Sequence, residues 1–175
     1  MITVGVDTYI TVADATAYIL ANYPSTDARV AAWEALEDQD KEVYLRRACS
    51  ALNGLPYHGM TYTALQPLAF PRYVYPDGVM AYRNLIAPLS YIYPELADVP
   101  QEIIAAQVEE AFELAAPSAD SEKYDAINGP VQSYTIGHLS ETYKSVAVED
   151  NVDAALRSGK AKRLVWPFLG GGYDI

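Results

Sequence analysis

Val99–Ala116, VPQEIIAAQVEEAFELAA, is the most cleanly two-faced stretch of the chain. At 100° per residue, Ile103, Ile104, Val108, Ala111, Phe112, Leu114 and Ala115 fall on one broad arc. Glu102, Glu109, Glu110 and Glu113 gather on the other side. The spacing predicts a helix with one buried face and one acidic, solvated face. Pro100 presets φ for the first turn, and Pro117 ends the run by lacking an N–H. The other helices are expected to pack against the apolar arc.

Working outward toward the N-terminus, Thr11 reads as an N-cap, with Asp14 placed three residues on as in a capping box. A helix over Val12–Ala21 then turns Val12, Ala15, Ile19 and Leu20 toward a core. Tyr23-Pro24-Ser25 stops it, and Asp27 caps a short helix carrying Trp33 and Leu36. The acidic run 37–40 opens a third helix, from about Gln39 to Asn53, where negative charge meets the positive end of the helix dipole. Tyr44, Leu45, Ala48, Ala51 and Leu52 share its apolar face, and Gly54 is placed for a C-terminal stop. Cys49, at the edge of that arc, reads as a buried, inert thiol.

Residues 56–94 differ in kind. They hold six prolines and seven tyrosines. So many prolines forbid a long helix or a central strand, while the aromatic content argues against disorder. A long loop pinned by aromatic side chains follows. It packs either on its own domain or on a neighbouring subunit, because tyrosine couples a large contact area to few rotors. A polar linker, SADSEKYDAINGP, comes after Pro117. Val131–Val148 alternates loosely and favours two extended pieces about Gly137-His138. A short helix over Val152–Arg157 ends at Ser158-Gly159, and LVWPFLGGGYDI follows as an arm that docks on something. The expected architecture is therefore mainly α. It is a small bundle of about four helices with a long aromatic loop, a short β hairpin near 131–148 and a C-terminal arm. Residues 1–130 form the helical core, including loop 56–98, and 131–175 form the β segment and arm.

The chain has 23 Asp and Glu against 12 Lys and Arg, a net charge of −11. All of the excess lies in residues 1–130, with 18 acids and 7 bases; residues 131–175 balance 5 against 5. Such a charge repels nucleic acid and anionic lipid at long range. There is no apolar run long enough to span a membrane, and MITVGVDTYI lacks the basic start of a signal peptide. One cysteine excludes an internal disulfide. His58 and His138 stand far apart and no zinc or EF-hand spacing occurs, so no metal or other cofactor is expected. No G-x-S-x-G appears, and Gly170-Gly171-Gly172 has neither the lysine nor the helix of a phosphate loop. What remains suits an assembly component better than an enzyme.

Three stretches carry a resemblance. They are Asp7–Tyr18, DTYITVADATAY; Ala32–Leu55, AWEALEDQDKEVYLRRACSALNGL, with its Arg47-Ala48 and Leu52; and Leu68–Arg72, LAFPR, followed later by Val99-Pro100-Gln101-Glu102-Ile103. Together they resemble the phage head–tail connector (adaptor) family, some of whose sequences are labelled DnaT-like single-stranded DNA-binding proteins. The likeness covers about residues 7–116; residues 73–98 are longer and richer in tyrosine than the family pattern.

The resemblance implies a non-enzymatic ring, commonly of about twelve copies, beneath a portal protein, with DNA passing through without sequence-specific binding and tail or stopper proteins assembling below. It places the protein in the virion neck, and in the host cytoplasm during assembly. On that reading Glu102, Glu109, Glu110 and Glu113 are candidates for the channel surface, a solvated outer face being the alternative. Tyr73, Tyr75, Tyr82, Tyr91, Tyr93, Lys160, Lys162, Arg163, Trp166 and Phe168 are candidates for contacts between subunits or with the portal. The alternative function is a single-stranded DNA-binding replication accessory protein.

Overall fold

The computed structural model describes residues 1–61, 63–73, 99–118, 133–136, 139–142 and 155–169. The fold is mainly helical, a small bundle. Helices α1 (Val12–Asn22), α2 (Ala28–Glu34) and α3 (Asp38–Asn53) are followed by α4 (Gln101–Ala115) and α5 (Gly159–Val165), the last running into a 3-10 turn at Trp166–Phe168. Two antiparallel strand pairs accompany them. In one, β1 (Met60–Thr61) lies against β2 (Arg72–Tyr73). In the other, β3 (Ser133–Ile136) lies against β4 (Leu139–Thr142), with Ile136 opposite Leu139. The expected hairpin is thus present, flanking positions 137–138, which lie outside the described residues.

The caps explain where the first helices begin. The Thr11 hydroxyl accepts from the Asp14 N–H at 3.1 Å and donates to the Asp14 carboxylate at 2.7 Å. Asp27 accepts the Arg29 N–H at 2.9 Å and starts α2. Gly54 follows α3 with φ −79, so it ends that helix without entering the left-handed region expected of a glycine stop. Leu20 points to solvent rather than inward, 47% exposed, because Ala15 and Ile19 already face the bundle.

Helix α4 is the axis, with α1, α2, α3 and α5 all packed on it. Its residues take part in two apolar clusters. Ile103 and Ala106 join Tyr9, Leu52, Phe70, Leu156, Val165 and Leu169. Val108, Ala111 and Phe112 join Ile19, Val30, Trp33 and Leu45. Trp33 meets Phe112 edge-on at 6.2 Å and donates its indole N–H to the Thr16 hydroxyl at 3.1 Å. Between the clusters sits Gln107, fully buried. Its carbonyl accepts the Tyr9 N–H at 2.9 Å, and its amide donates to the Thr8 hydroxyl at 2.6 Å and the Leu45 carbonyl at 2.9 Å.

The C-terminal segment departs from expectation. Ser158-Gly159 begins a helix, the Ser158 hydroxyl accepting the Ala161 N–H at 3.1 Å, while the helix expected over Val152–Arg157 falls largely outside the described residues, which resume at a helical Ala155. Leu156, Ala161, Val165 and Leu169 complete the first apolar cluster, and Leu169 forms an antiparallel bridge with Tyr57. The arm therefore docks on its own chain. Its burial could not be read from 164–175, since the face that receives it lies on α3, α4 and residues 55–70, far away in sequence.

Candidate interface and the buried carboxylate row

The acidic side of α4 is not a solvated face. Glu102 is exposed, but Glu109, Glu110 and Glu113 are only 2%, 1% and 5% exposed. Those three cannot line a channel in this fold. Helical periodicity places a carboxylate outward by default, because burying a charge costs several kcal/mol unless it is paired. Here each one is paired, by groups 5 to 91 residues away in sequence.

Glu109 faces α1 and α5 together. It accepts from the Tyr18 hydroxyl at 2.9 Å and from the Tyr23 hydroxyl, and it pairs with the Lys160 ammonium at 2.6 Å. The same ammonium stands 4.9 Å from the Tyr23 ring centre and 5.7 Å from that of Tyr18. Burial first, then the hydrogen bond to Glu109 and its charge, pushes both phenols well above their ordinary value, so they stay protonated and donate to the carboxylate. Glu110 accepts the backbone N–H groups of Arg157, at 3.0 Å on each oxygen, and of Ser158, at 2.8 Å. Burial raises its carboxyl above the usual range; those two N–H groups pull it back, and Glu113 pushes it up again. Glu113 pairs with the Arg29 guanidinium at 2.8 Å and takes the Ser118 N–H at 2.8 Å and hydroxyl at 2.6 Å. Arg29 also lies 4.5 Å over the Phe112 ring and donates to the Ala116 carbonyl at 2.8 Å.

Chemically, this row fastens three separate segments to one helix. It offers no exposed acid–base pair. Among the described residues, no group of three His, Cys, Asp or Glu side chains is placed to hold a metal ion, and no helix is long and apolar enough to cross a membrane. Cys49 is buried, and burial pushes its thiol up to about 12, the inert state expected from its place on α3.

A second polar knot explains the stretch 68–72. Arg72 donates to the carbonyls of His58 at 3.0 Å, Gly59 at 3.1 Å, Tyr57 at 3.3 Å and Ala69 at 3.3 Å. Its guanidinium lies 5.5 Å from the Tyr57 ring centre and 5.9 Å from that of Phe70. Asn53 accepts the Tyr9 hydroxyl and the Ala69 N–H, both at 2.9 Å, while the Tyr9 oxygen accepts the Phe70 N–H at 3.1 Å. This knot ties the start of the chain, the end of α3 and the β1–β2 pair together. Residue pattern does not single out Gln107 or Asn53, and Arg72 stands out only as the end of LAFPR, without a sign of the carbonyls it meets. The one available signal was Gln107 itself, a polar residue between Ala106 and Val108 on a helix otherwise apolar at its centre.

The candidate contact residues divide. Lys160 is engaged by Glu109, and Phe168 is half-buried against Phe70 at 5.8 Å with its carbonyl accepting the His58 N–H at 2.8 Å. Both serve this chain's own packing, which leaves their expected role as contacts with other chains untested. Lys162 is half-buried. Arg163 is exposed with its Nε on the Gly159 carbonyl at 3.2 Å, and Trp166 is 53% exposed. The backbone of Tyr73 pairs with Met60 in β2. Tyr75, Tyr82, Tyr91 and Tyr93 lie outside the described residues.

A family model described as "Putative DnaT-like ssDNA binding protein" matches residues 1–175. No curated protein and no solved structure matches the chain.

Proposed function

The chain belongs to the DnaT-like single-stranded-DNA-binding family, which speaks for DNA binding; from the sequence resemblance, and not from that match, we propose that it is a non-enzymatic structural connector, a ring-forming part of a phage neck past which DNA moves. The family description names DNA and not a connector; the connector reading comes from the sequence resemblance. The observation that carries it is the disposition of positive charge. Among the described residues, Arg29, Lys41, Arg46 and Lys160 each pair with a carboxylate of the same chain. Arg72 directs its donors to four backbone carbonyls. With a net charge of −11 around them, these five cations are engaged within the chain, while Arg47 and Arg163 lie exposed, so the arrangement limits phosphate contacts rather than removing them. Phosphate contacts by Lys and Arg supply most non-specific affinity for nucleic acid, through counterion release. A surface that DNA must slide past is better served without them.

The partners on this reading are further copies of the chain, a portal protein, and tail or stopper proteins. The site of action is the virion neck, after assembly in the host cytoplasm. Electron microscopy of the purified chain mixed with its portal tests it. Ring density added beneath the portal is expected; portal particles that gain no density refute it.

The second reading, single-stranded DNA binding, has the family description directly behind it. It requires a basic groove with aromatic platforms; the sequence 73–93 is rich in tyrosine, and all of it but the backbone of Tyr73 lies outside the described residues. Fluorescence anisotropy with a labelled oligonucleotide separates the two. Tight binding at low salt that falls steeply with added salt favours this reading, and no binding at low salt dismisses it.

A further inference from the structure

From Ala48 to Pro71 the chain carries no Asp, Glu, Lys or Arg, although 20% of its residues are charged. Within this neutral stretch the structure builds a loop with a fastened base and a bare tip. The base is apolar and closed. Leu55 and Tyr57 on the way out, and Leu68 and Phe70 on the way back, all belong to the first apolar cluster. Two side chains fasten the backbone. The Gln66 side-chain carbonyl accepts the Thr63 N–H at 3.0 Å, and its amide donates to the Leu68 carbonyl at 2.7 Å and the Pro71 carbonyl at 2.9 Å. Arg72 holds the carbonyls of His58 and Gly59 ahead of β1.

At the turn that Gln66 closes, Leu65 stands in solvent, 95% exposed, and Met60 on β1 is 55% exposed. Neither joins an apolar cluster of this chain. A lone exposed leucine is ordinary. Here it rides on a turn held by three hydrogen bonds from one glutamine, in a stretch without a charge. The apolar contact is thus set in position before any partner arrives, which lowers the entropy cost of binding. Depletion of charge, with methionine present, is also the composition of an interface core. The stretch has no cation for phosphates, and the net charge of −11 around it repels nucleic acid and anionic lipid alike. A protein surface is the occupant that this chemistry fits.

We propose that Leu65, together with Met60 on the strand leading into the turn, is an anchor that inserts into an uncharged apolar pocket of another protein. The inference rests on the connector reading above and names the surface by which the chain is joined to its partner; the portal is therefore the probe. The test titrates purified portal protein against the full-length chain and its Leu65→Ser and Met60→Ser variants. Because both side chains are largely exposed, urea midpoints equal to that of the wild-type chain are expected. Leu65→Ser should bind the portal roughly 10–100-fold more weakly, the effect of burying one leucine, with a smaller loss for Met60→Ser. Wild-type affinity in the Leu65→Ser variant overturns the inference and leaves the connector reading standing. So does a urea midpoint lowered by Leu65→Ser, which would make the tip part of the fold. A defect confined to self-association, to an oligonucleotide or to phosphatidylcholine vesicles overturns it as well. A wild-type chain that does not bind the portal overturns both the inference and the connector reading.

Discussion

Glu110→Gln removes one charge from a side chain that is 1% exposed and leaves its shape nearly unchanged. In the native site the carboxylate accepts the Arg157 N–H on both oxygens at 3.0 Å and the Ser158 N–H at 2.8 Å. Hydrogen bonds to a charged group contribute roughly 1.5–3 kcal/mol each, and an orphaned buried donor costs about 1–3 kcal/mol. Glutamine keeps one carbonyl oxygen, so one backbone N–H keeps its acceptor and the other meets an NH2. The orphaned N–H costs about 1–3 kcal/mol where Glu110 is protonated, a fall in melting midpoint of roughly 2–12 °C for a chain of this size; where it is ionised, its stronger hydrogen bonds are offset by a desolvation that the amide does not bear. The pH dependence has a definite sign. Burial holds the folded carboxyl above its ordinary value of 4.5, so the folded protein takes up this proton before the unfolded chain does as pH falls. The stability Glu110 contributes is thus full below its unfolded value and is lost as pH rises through the folded one. The amide does not titrate. The gap between wild type and variant is therefore widest near and below pH 4.5 and narrows toward neutrality. Urea unfolding followed by tryptophan fluorescence, using the buried Trp33, at a series of pH values measures it. Equal stability at every pH, or a gap that widens as pH rises, refutes the reasoning. The second outcome would show that the N–H groups outweigh burial.

Three further perturbations address the other parts of the fold. Gln107→Leu leaves the Tyr9 N–H without an acceptor and should cost about 2–3 kcal/mol, with faster amide exchange at Tyr9 as the site-specific sign. Arg72→Lys keeps the charge but loses the planar fork that reaches four carbonyls; a loss of about 1–3 kcal/mol is expected in denaturant titration. Cys49, buried with its thiol pushed up to about 12, should react with a thiol reagent at pH 8 only as fast as the chain opens, so that labelling and unfolding rates coincide.

The helices were legible because their signals are local. Thr11 with Asp14, Asp27 before α2, and the arc Ile103, Val108, Ala111, Phe112 all act within a few residues, and the structure uses each as expected. The alternation about 137–138 likewise marked a strand pair. The carboxylates of α4 were misplaced because what buries them is non-local: Tyr18 and Tyr23 from the first 23 residues, Arg29 from α2, and the segment from Arg157 to Lys160. A helical wheel carries no information about a helix arriving some fifty residues later. The same blindness hid α5, whose own residues are too few to show a period, and the packing of Lys160 on Glu109 and of Phe168 on Phe70. The role of Arg72, visible in sequence only as the end of LAFPR, was not legible because a guanidinium that caps carbonyls has no partner side chain to betray it.

Native mass spectrometry of the chain offered both its portal protein and a single-stranded oligonucleotide tests the central claim directly. The account predicts a portal-bound ring of this chain with no oligonucleotide held by it. A species of this chain carrying the oligonucleotide, with the portal left bare, would contradict it.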